Sequence, residues 1–374
     1  MKFAIITHAT HKVNDNKIYA YEPYIKEMNL WLQFVKEVKI VAPIINEEIT
    51  VVESNYSLNN LEVDEIPLID ALTFKNKIIS FLKLPYILYK IFKAMLWADH
   101  IHLRCPGNIG LLGCFVQIFF PTKNKTVKYA GNWDPNSKQP ISYCIQKWII
   151  SNTFLTRNCK VLVYGNWENQ SKNIIPFFTA SYSKNEIISL PNKNTSALIK
   201  FIYVGTFSKG KQPLLSVKTI QKLHHKGYEV QLNMYGNGSE YYNINNFIKE
   251  NNLDEVVFLK GNQPKEIVKK AYQESHFLIF ISKSEGWPKV VAEAMFWKCL
   301  PISSKVSCVN YMLDNSKRGS VLKSDVNENE VVSEILYYLN NEDIYQKKVL
   351  EALTWSQKYT LDKFELEIKK ILNN

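Results

Sequence analysis

The sequence predicts an α/β protein built from two domains that each contain a parallel sheet. Short apolar runs alternate with amphipathic stretches, a pattern typical of strands that alternate with helices. The alternation restarts after a polar segment at residues 180–198, and 374 residues exceed what one hydrophobic core usually supports. Because open parallel sheets bind ligands outside the carboxyl ends of their strands, we expect the functional site in a cleft between the domains.

The first half of the chain holds five apolar runs and four amphipathic stretches. Each short apolar run predicts a buried strand, and each stretch with apolar residues three or four positions apart predicts a helix. The strands are expected at residues 2–7, 38–42, 98–103, 126–129 and 160–164. The helices are expected at residues 21–37, 76–96, 108–120 and 141–153.

The second half repeats this rhythm and ends in helical sequence. Its strands are expected at residues 200–204, 229–235, 256–260, 276–281 and 300–303. Its helices are expected at residues 213–226, 241–251, 264–273 and 289–296, and residues 335–372 are helical in pattern with a break near 355–360. We therefore expect a domain at residues 1–185, a second at 186–352 and a terminal helix within 353–374.

The composition excludes several classes of protein. Apolar residues make up 46% and charged residues 22%, which is ordinary for a globular chain and excludes a disordered one. The six cysteines lack C-x-x-C spacing and no export signal precedes them, so we expect reduced thiols in a cytoplasmic protein. The longest uncharged apolar run, residues 108–122, is shorter than the roughly 20 residues of a membrane helix.

The net charge of +11 is concentrated in the middle of the chain. Residues 101–200 hold 12 Lys and Arg against three Asp and Glu. Such an excess attracts phosphates, nucleic acid or an anionic membrane, although a generally Lys-rich composition explains it equally well. Nearly all the basic residues are Lys, which argues against nucleic-acid base recognition because that relies on Arg.

The most informative stretch is SKSEGWPKVVAEAM at residues 282–295, between a buried strand and an apolar helix. Pro288 is favoured in a first helical turn and Gly286 lets the chain bend, so a helix begins near Lys289. The amides of that turn and the helix dipole favour an anion. Glu285 precedes the helix and Glu293 lies inside it, so both carboxylates can contact one elongated ligand.

Two further strand ends carry glycines, and one of them also carries lysines. In FIYVGTFSKGKQPLL, Gly205 ends a strand, and Lys209 and Lys211 stand before a helix, which is how phosphate sites are built. It is not a Walker A sequence, and a plain turn with solubilising lysines is the alternative. The YGNG run places Gly236 and Gly238 at the next strand end of the same sheet.

Together these pieces resemble the donor half of a family 4 retaining glycosyltransferase of the GT-B fold, across about residues 198–325. The resemblance rests on VGTFSKGKQPLL, LNMYGNGSE, VVFLKGN and SEGWPKVVAEAMFWKCLPI, in that order and spacing. The Glu-x7-Glu element from Glu285 to Glu293 is the most specific of them. The ending WSQKYTLDKFELEIKKIL resembles the C-terminal helix that crosses back to the first domain in that family.

The resemblance implies two Rossmann-like domains facing across a cleft, and it implies a role for each matching residue. Lys211 would bind the donor pyrophosphate, Glu293 the ribose hydroxyls and Glu285 the transferred sugar. The remaining donor-side candidates are Gly205, Thr206, Lys209, Gly236, Gly238, Gly286, Trp287, Pro288 and Lys289, with Gly261 and Asn262 beside the nucleobase. Thr206 stands where the family usually has Arg, so Lys209 or the basic first domain would supply the missing charge.

The first half resembles the family only in its alternation of strands and helices, so its site residues are candidates by position. His8 follows the first strand, His102 and Arg104 end the strand in DHIHLRCPGN, and Asn132 and Asp134 lie in YAGNWDP. These five residues are the candidate acceptor contacts. Asp134 does not indicate a metal, because enzymes of the GT-B fold resemble one another in using protein cations instead.

The stretch KNKIISFLKLPYILYKIFKAMLW at residues 75–97 is both apolar and basic. It is suited to lying on a membrane surface, as a lipid-linked acceptor would require. Pro85 interrupts it, and we favour the alternative of a core-facing helix with exposed lysines.

The sequence therefore predicts a retaining hexosyltransferase that moves a sugar from a nucleotide-diphosphate sugar to a hydroxyl acceptor. We expect a glycan or lipid-linked acceptor in surface polysaccharide or glycolipid biosynthesis, no metal or other cofactor, and no nucleic-acid partner. The location expected is the cytoplasm, with peripheral contact to the inner face of an anionic membrane as a further option. The alternatives are a nucleotide-sugar epimerase of similar fold, which would need a base in the first domain, and an inactive basic binding protein.

Overall fold

The computed structural model describes residues 1–50, 52–58, 60–69 and 74–373, with side chains of helix residues 74–79 excepted. Two compact units make up the chain: Met1–Phe177 with the end of the chain from Glu365, and Phe178–Phe364. Each unit contains a parallel sheet. The prediction of two parallel-sheet α/β units is confirmed. Residue 374, in the predicted terminal helix, lies outside the described part.

The first unit is built on a seven-stranded sheet of order β10-β9-β8-β7-β1-β4-β6, parallel throughout. The same unit contains a small antiparallel sheet of order β2-β3-β5, whose strands lie between β1 and β6 in the chain. The strands are β1 Lys2–Ile6, β2 Lys12–Asn14, β3 Lys17–Tyr21, β4 Glu37–Pro43, β5 Glu53–Asn55, β6 Leu61–Ile66, β7 His100–Cys105, β8 Asn124–Tyr129, β9 Cys159–Tyr164 and β10 Ile174–Phe177. The helices are α1 Glu22–Leu32, α2 Phe74–Trp97, α3 Asn108–Val116 and α4 Ile141–Ser151.

Helices α2, α3 and α4 cover one face of this sheet, and α1 covers the other. The crossovers β6 to β7, β7 to β8 and β8 to β9 all run in one direction across the sheet, and right-handed connections then place their helices on one face. Helix α3 packs against both α2 and α4. Side chains alternate along β7: Ile101 and Leu103 enter the core under these helices, and His102 faces Trp31 of α1.

The second unit is built on a six-stranded parallel sheet of order β13-β12-β11-β14-β15-β16. Its strands are β11 Ile199–Val204, β12 Val230–Tyr235, β13 Val257–Gly261, β14 Phe277–Phe280, β15 Leu300–Ser304 and β16 Ser320–Leu322. Its helices are α5 Pro213–His225, α6 Tyr241–Glu250, α7 Lys265–Glu274, α8 Lys289–Phe296, α9 Val309–Met312, α10 Glu328–Leu339 and α11 Glu342–Ser356. Helix α12, Leu361–Asn373, begins here and ends in the first unit.

Several predicted boundaries are wrong for local reasons. Helix α1 ends at Leu32 rather than residue 37, because Lys36 donates to the Met1 carbonyl and leads into β4. Helix α3 ends at Val116 and continues only as a 3₁₀ turn. The predicted strand at residues 98–103 starts at His100, because Ala98 still donates to a carbonyl of α2.

Among the described residues, six strands were not predicted, and each is short or lies at a sheet edge: β2, β3, β5, β6, β10 and β16. Strand β6 alternates polar and apolar residues, while β10 and β16 are edge strands of four and three residues. The hairpin β2–β3 turns at Asp15 and Asn16, both with positive φ, as a two-residue hairpin requires. The break between α11 and α12 is confirmed, and a second break at Asn340 and Asn341 separates α10 from α11.

Candidate functional site

Glycines bring the carboxyl ends of three strands of the second sheet close together. The Gly205 amide donates to the Tyr235 carbonyl at 2.9 Å, and the Gly236 amide donates to the Gly261 carbonyl at 2.9 Å. A Cβ atom on Gly236 would lie 2.0 Å from the Gly205 carbonyl oxygen, and its φ of +140° also favours glycine. This edge of the sheet is therefore a surface of backbone, open to close approach by a ligand.

The loop from Gly205 to Gln212 is fixed to the neighbouring strand end. Buried Phe207 donates its amide to the Asn237 carbonyl at 2.9 Å and accepts from the Glu240 amide at 2.9 Å. Gly238 passes so close that a Cβ there would lie 2.5 Å from the Phe207 oxygen. Thr206 and Lys209, on the same loop, are exposed to solvent.

Lys211 and Glu285 form an ion pair at this edge, as two of the predicted site residues. The Lys211 Nζ atom donates to Glu285 Oε1 at 2.6 Å, and the two side chains are 29% and 10% exposed. Nζ also lies 5.1 Å from the centre of the Phe280 ring. Burial raises the pKa of Tyr203 beneath them, and the Glu285 carboxylate adds to that effect. The pair is thus a cation and a carboxylate held at one point with limited access to water.

The loop that carries Glu285 is anchored by small polar residues. Ser282 and Ser304 bond reciprocally, with the Ser282 amide donating to Ser304 Oγ at 2.9 Å and Ser304 Oγ donating to the Ser282 carbonyl at 2.6 Å. The Lys283 amide donates to the Gly210 carbonyl at 2.8 Å, which ties this loop to the Lys211 loop. The Gly286 carbonyl accepts from Ser307 Oγ at 2.8 Å. The Glu285 position is therefore determined by its own loop and by the preceding strand-to-helix turn.

Helix α8 begins at Lys289, as the sequence predicts, and its first turn has no side-chain cap. Pro288 is the N-cap residue, and the buried Trp287 ring stacks on Trp355 at 6.3 Å. Uncapped amides at a helix N-terminus, together with the helix dipole, favour a negatively charged group. Gly286 through Lys289 thus form one continuous turn that leads into the helix.

Glu293 has partners different from those of Glu285. Ser181 Oγ donates to Glu293 Oε1 at 2.5 Å, and Tyr272 OH donates to Oε2 at 3.4 Å. Burial raises the pKa of Tyr272, and the Glu293 carboxylate contributes to the increase. A cavity of about 10 Å³ next to Glu293 is lined by Tyr182 and Trp287 among others, and has room for about one water molecule. Glu293 is therefore a fixed acceptor at the edge of a small cavity.

Two hydrogen-bond partners of Glu293, and a tyrosine near Glu285, were not predicted from the sequence. Ser181 lies in the polar segment after which the strand–helix alternation restarts, and Tyr272 lies on α7, the helix preceding β14. Tyr203 lies in the buried strand β11 and donates to the Thr206 carbonyl at 3.2 Å. Tyr272 was the one signal in the sequence for these contacts, because a tyrosine that is buried by its helix needs a hydrogen-bond partner for its hydroxyl. Gly261 and Asn262 lie at the end of β13, where Asn262 is exposed.

In the first unit, His8 and Arg104 lie near each other at the carboxyl ends of β1 and β7. A Cβ on Gly107 would lie 2.5 Å from His8 Nδ1, so this glycine leaves the space that the imidazole occupies. Displacement of water by the surrounding protein lowers the pKa of His8, and the Arg104 guanidinium lowers it further. Arg104 donates to the Glu27 carboxylate and lies 5.2 Å from the Tyr24 ring centre. Arg104 is thus already neutralised by a buried ion pair.

The predicted position of His102 at a strand end is wrong. It lies in the middle of β7, fully buried, with Nδ1 2.8 Å from Thr126 Oγ1 and its ring against Phe3 and Trp31. Burial lowers its pKa far below the usual value, and Arg104 adds to the effect. Its side chain belongs to the core between the sheet and α1.

Asn132 and Asp134 shape a turn after β8. Asn132 Oδ1 accepts from the Asp134 amide at 2.9 Å, and Asp134 Oδ1 accepts from the Asn136 amide at 2.8 Å. Lys147 Nζ donates to the Asp134 carbonyl at 3.4 Å. Within the described residues, no group of three His, Cys, Asp or Glu side chains is arranged to hold a metal ion.

Comparison with known proteins finds a family model that matches the part of the chain that carries this arrangement. Residues 186–352 match the glycosyl transferases group 1 family. The matched region contains the glycine-lined strand ends, the Lys211–Glu285 pair and helix α8 with Glu293. The resemblance seen in the sequence is therefore supported at the level of this family.

Two curated relatives each match about half of this chain. An uncharacterized glycosyltransferase of Methanocaldococcus jannaschii is 24% identical over 170 residues, covering 46% of this chain and 46% of the relative. An uncharacterized glycosyltransferase of Haemophilus influenzae is 27% identical over 214 residues, covering 51% and 56%. The chain thus spans about half the length of the curated relatives it matches.

Solved structures extend the likeness to the whole chain. Anabaena HepE, in complex with UDP and glucose, superimposes with a TM-score of 0.71 at 10% identity, covering 100% of this chain and 99% of HepE. At that identity the likeness concerns the fold alone. The fold is that of the GT-B glycosyltransferases. No helix among the described residues is long and apolar enough to cross a membrane.

Proposed function

We propose that this chain is a glycosyltransferase that moves a sugar from a nucleotide-diphosphate sugar to a hydroxyl acceptor. The observation that carries the proposal is the Lys211–Glu285 ion pair at the glycine-lined edge of the second sheet. The pair lies inside the region that matches the glycosyl transferases group 1 family. We place the chain in family 4, as a retaining hexosyltransferase, on the Glu-x7-Glu element from Glu285 to Glu293.

Lys211 is suited to stabilise a departing diphosphate. Its ammonium has three N–H donors, of which Glu285 accepts one at 2.6 Å. The uncapped first turn of α8, on the same loop as Glu285, adds amide donors and the positive end of a helix dipole. Groups fixed in this way before the reaction stabilise developing negative charge most effectively. These protein cations and amides take the place of a metal ion, and no cofactor is required.

The two carboxylates are suited to hydroxyl groups rather than to nucleophilic attack. Lys211 occupies one oxygen of Glu285, and the other can accept from a hydroxyl of the transferred sugar. Glu293 is held by Ser181 and Tyr272, so its remaining lone pairs can accept from the ribose hydroxyls. With retention, the acceptor attacks from the side of the leaving phosphate, which takes the acceptor's proton.

A solved structure of the same fold, and the chemistry of the site, suggest which donor and which acceptor this chain uses. HepE, of the same fold, is known in complex with UDP and glucose, which favours a uridine-diphosphate sugar as donor here. For the acceptor we propose a glycan or a lipid-linked sugar in surface polysaccharide or glycolipid biosynthesis, on the cytoplasmic side of the membrane. His8, Arg104, Asn132 and Asp134 remain the candidate acceptor contacts of the first unit.

Calorimetric titration with UDP, GDP, ADP and CMP, without added metal, tests the donor site. We expect one diphosphate to bind, and Lys211→Ala to weaken it by about 1.4 kcal/mol or more, which is tenfold in Kd. The control is Lys226→Ala, an exposed lysine at the opposite end of α5, which should leave the affinity unchanged.

The outcomes separate the alternatives. If no nucleotide binds the wild-type chain, the transferase proposal fails and an inactive basic binding protein replaces it. If a diphosphate binds but a UDP-sugar is converted to its epimer without any acceptor, the epimerase replaces it. Transfer with the same anomeric configuration, read from the product by NMR, supports retention.

A further inference from the structure

Helix α2 exposes apolar side chains on the side that faces away from its sheet. Leu82, Tyr89 and Leu96 follow one another at helical spacing and are 73%, 57% and 60% exposed. On the opposite side, Ile87 and Ile91 are fully buried in the core. A surface helix normally presents polar residues to water, so an apolar outer side requires another explanation. The side chains of residues 75–79 of this stretch lie outside the described part.

The two neighbouring helices continue the same pattern. Phe119, just after α3, is 74% exposed, Trp148 of α4 is 62% exposed, and Phe154 after α4 is 72% exposed. Because α3 packs between α2 and α4 on one side of the sheet, the outward side chains of the three helices form one surface. We call this surface the apolar face and define it by six residues: Leu82, Tyr89, Leu96, Phe119, Trp148 and Phe154.

The segment that contains the apolar face carries most of the chain's excess positive charge. Residues 74–167 hold 13 Lys and Arg against two Asp and Glu, whereas the whole chain has a net charge of +11. Two of these cations lie over aromatic rings of the face. Lys93 Nζ is 5.4 Å from the Tyr89 ring centre, and the Arg157 guanidinium is 4.7 Å from that of Phe154. Aromatic rings with a cation beside them are the pattern that membrane–water interfaces favour.

We propose that the apolar face docks onto an anionic lipid surface. Apolar side chains of α2 and α4 would enter the acyl boundary, while Lys93 and Arg157 would remain at the level of the lipid phosphates. Charge decides against the other occupants. A second copy of the same face would bring more cations, and no anion, to Lys93 and Arg157. A nucleic acid would gain nothing from exposed Leu and Phe side chains. The face lies in the first unit, so the proposal does not rest on the donor site.

Vesicle sedimentation tests the proposal with the full chain. Wild-type protein is mixed with vesicles of phosphatidylcholine alone or phosphatidylcholine with phosphatidylglycerol. We expect binding to the anionic vesicles only, and the double variant Leu82→Ser/Trp148→Ser should bind them at least about tenfold more weakly. Lys93→Gln/Arg157→Gln should weaken binding by a similar factor and make it less sensitive to salt.

The matched control changes two apolar side chains of similar exposure in the second unit. Tyr242 and Leu350 are 78% and 59% exposed, so Tyr242→Ser/Leu350→Ser makes the same chemical change away from the apolar face. The control should bind anionic vesicles like the wild type, and all three variants should keep the wild-type unfolding midpoint. That midpoint excludes misfolding as the cause of lost binding.

Three results would overturn the proposal. The first is wild-type protein that sediments no better with anionic vesicles than without them. The second is vesicle binding that depends on Lys93 and Arg157 but not on Leu82 and Trp148, because the apolar side chains would then take no part in it. The third is a dimer in sedimentation equilibrium that Leu82→Ser/Trp148→Ser abolishes, because the face would then be an interface between two copies.

Discussion

The Lys211–Glu285 pair makes a quantitative prediction about stability, because its geometry fixes the size of the interaction. At 2.6 Å the Coulomb attraction is about 6 kcal/mol for an effective dielectric constant near 20. Desolvation offsets most of this, since Glu285 is only 10% exposed. Lys211 is 29% exposed and partly screened by water, so we take a net coupling of about 2 kcal/mol, between surface and fully buried pairs.

A double-mutant cycle measures this coupling directly. The variants are Lys211→Met, Glu285→Gln and the two together, with Lys226→Met as a control that removes an exposed lysine from the same unit. Lys211→Met should lower the free energy of unfolding by about 2 kcal/mol, because it leaves a largely buried carboxylate without its cation. Glu285→Gln should cost about 1 kcal/mol, since the amide still accepts a hydrogen bond from the better solvated ammonium.

The assay is urea unfolding of each variant, with calorimetry to separate the transitions of the two units. The double variant should lose about 2 kcal/mol less than the sum of the two single losses. A coupling energy below about 0.5 kcal/mol would refute the reasoning, because the pair would then behave as an ordinary exposed salt bridge. Lys211 would in that case not be held in place before a ligand arrives.

Two further predictions concern the strand ends and the buried histidines. Gly236→Ala should destabilise the second unit by about 3 kcal/mol or unfold it, because its Cβ would meet the Gly205 oxygen at 2.0 Å; Gly210→Ala, with open space around it, should be nearly neutral in the same unfolding assay. Burial lowers the pKa values of His11 and His100 to about 4 from 6.5, so the unfolded chain binds protons that the folded chain does not. Stability should therefore be fully present above pH 6.5 and fall as pH drops toward 4, by about 2 kcal/mol per histidine at pH 5, and His100→Gln should remove one such contribution.

The fold was predictable where one signal determined each element. The helix at residues 289–296 and the strands β11 to β15 of the second sheet follow from apolar runs bounded by Gly, Pro and polar residues. The edge strand β6 was not predicted because its sequence, LEVDEI, is partly polar and has one buried residue. Such a strand exists through its pairing with β4, a long-range interaction that no local window contains.

The glycines and carboxylates of the candidate site were predictable from the sequence, but the hydrogen-bond partners of the carboxylates were not. Glycines at strand ends and Glu285 before a helix are local patterns, and the structure brings Gly205, Gly236 and Gly261 together through amide–carbonyl bonds. Ser181 lies 112 residues from Glu293 in sequence, so their hydrogen bond is invisible to any spacing argument. His102 was misplaced because the predicted strand, residues 98–103, begins and ends two residues too early. In the structure His102 lies in the middle of β7 and is buried in the core.

The sequence does not show whether the many lysines bind an anionic ligand or are merely part of a Lys-rich composition. In the structure, some of them are bound internally and others lie at the surface. Lys123 donates to three carbonyls at the end of α2, and Lys125 to two carbonyls after α3. Lys193 donates to four carbonyls at the ends of α7 and α8, and burial lowers its pKa to about 8. These lysines neutralise helix carboxyl ends and are bound internally, as a structural interpretation requires.

Other cations lie at or near the surface, and their neighbours indicate what they bind. Lys93 and Arg157 stand over exposed rings of the apolar face, while Lys211 stands at the carboxyl edge of the second sheet. A Lys-rich composition alone would scatter cations over polar surface, where each would be surrounded by water. Their pairing with apolar surface in one unit and with a buried carboxylate in the other argues for two separate anionic ligands. The lipid surface and the diphosphate proposed above suit these two environments.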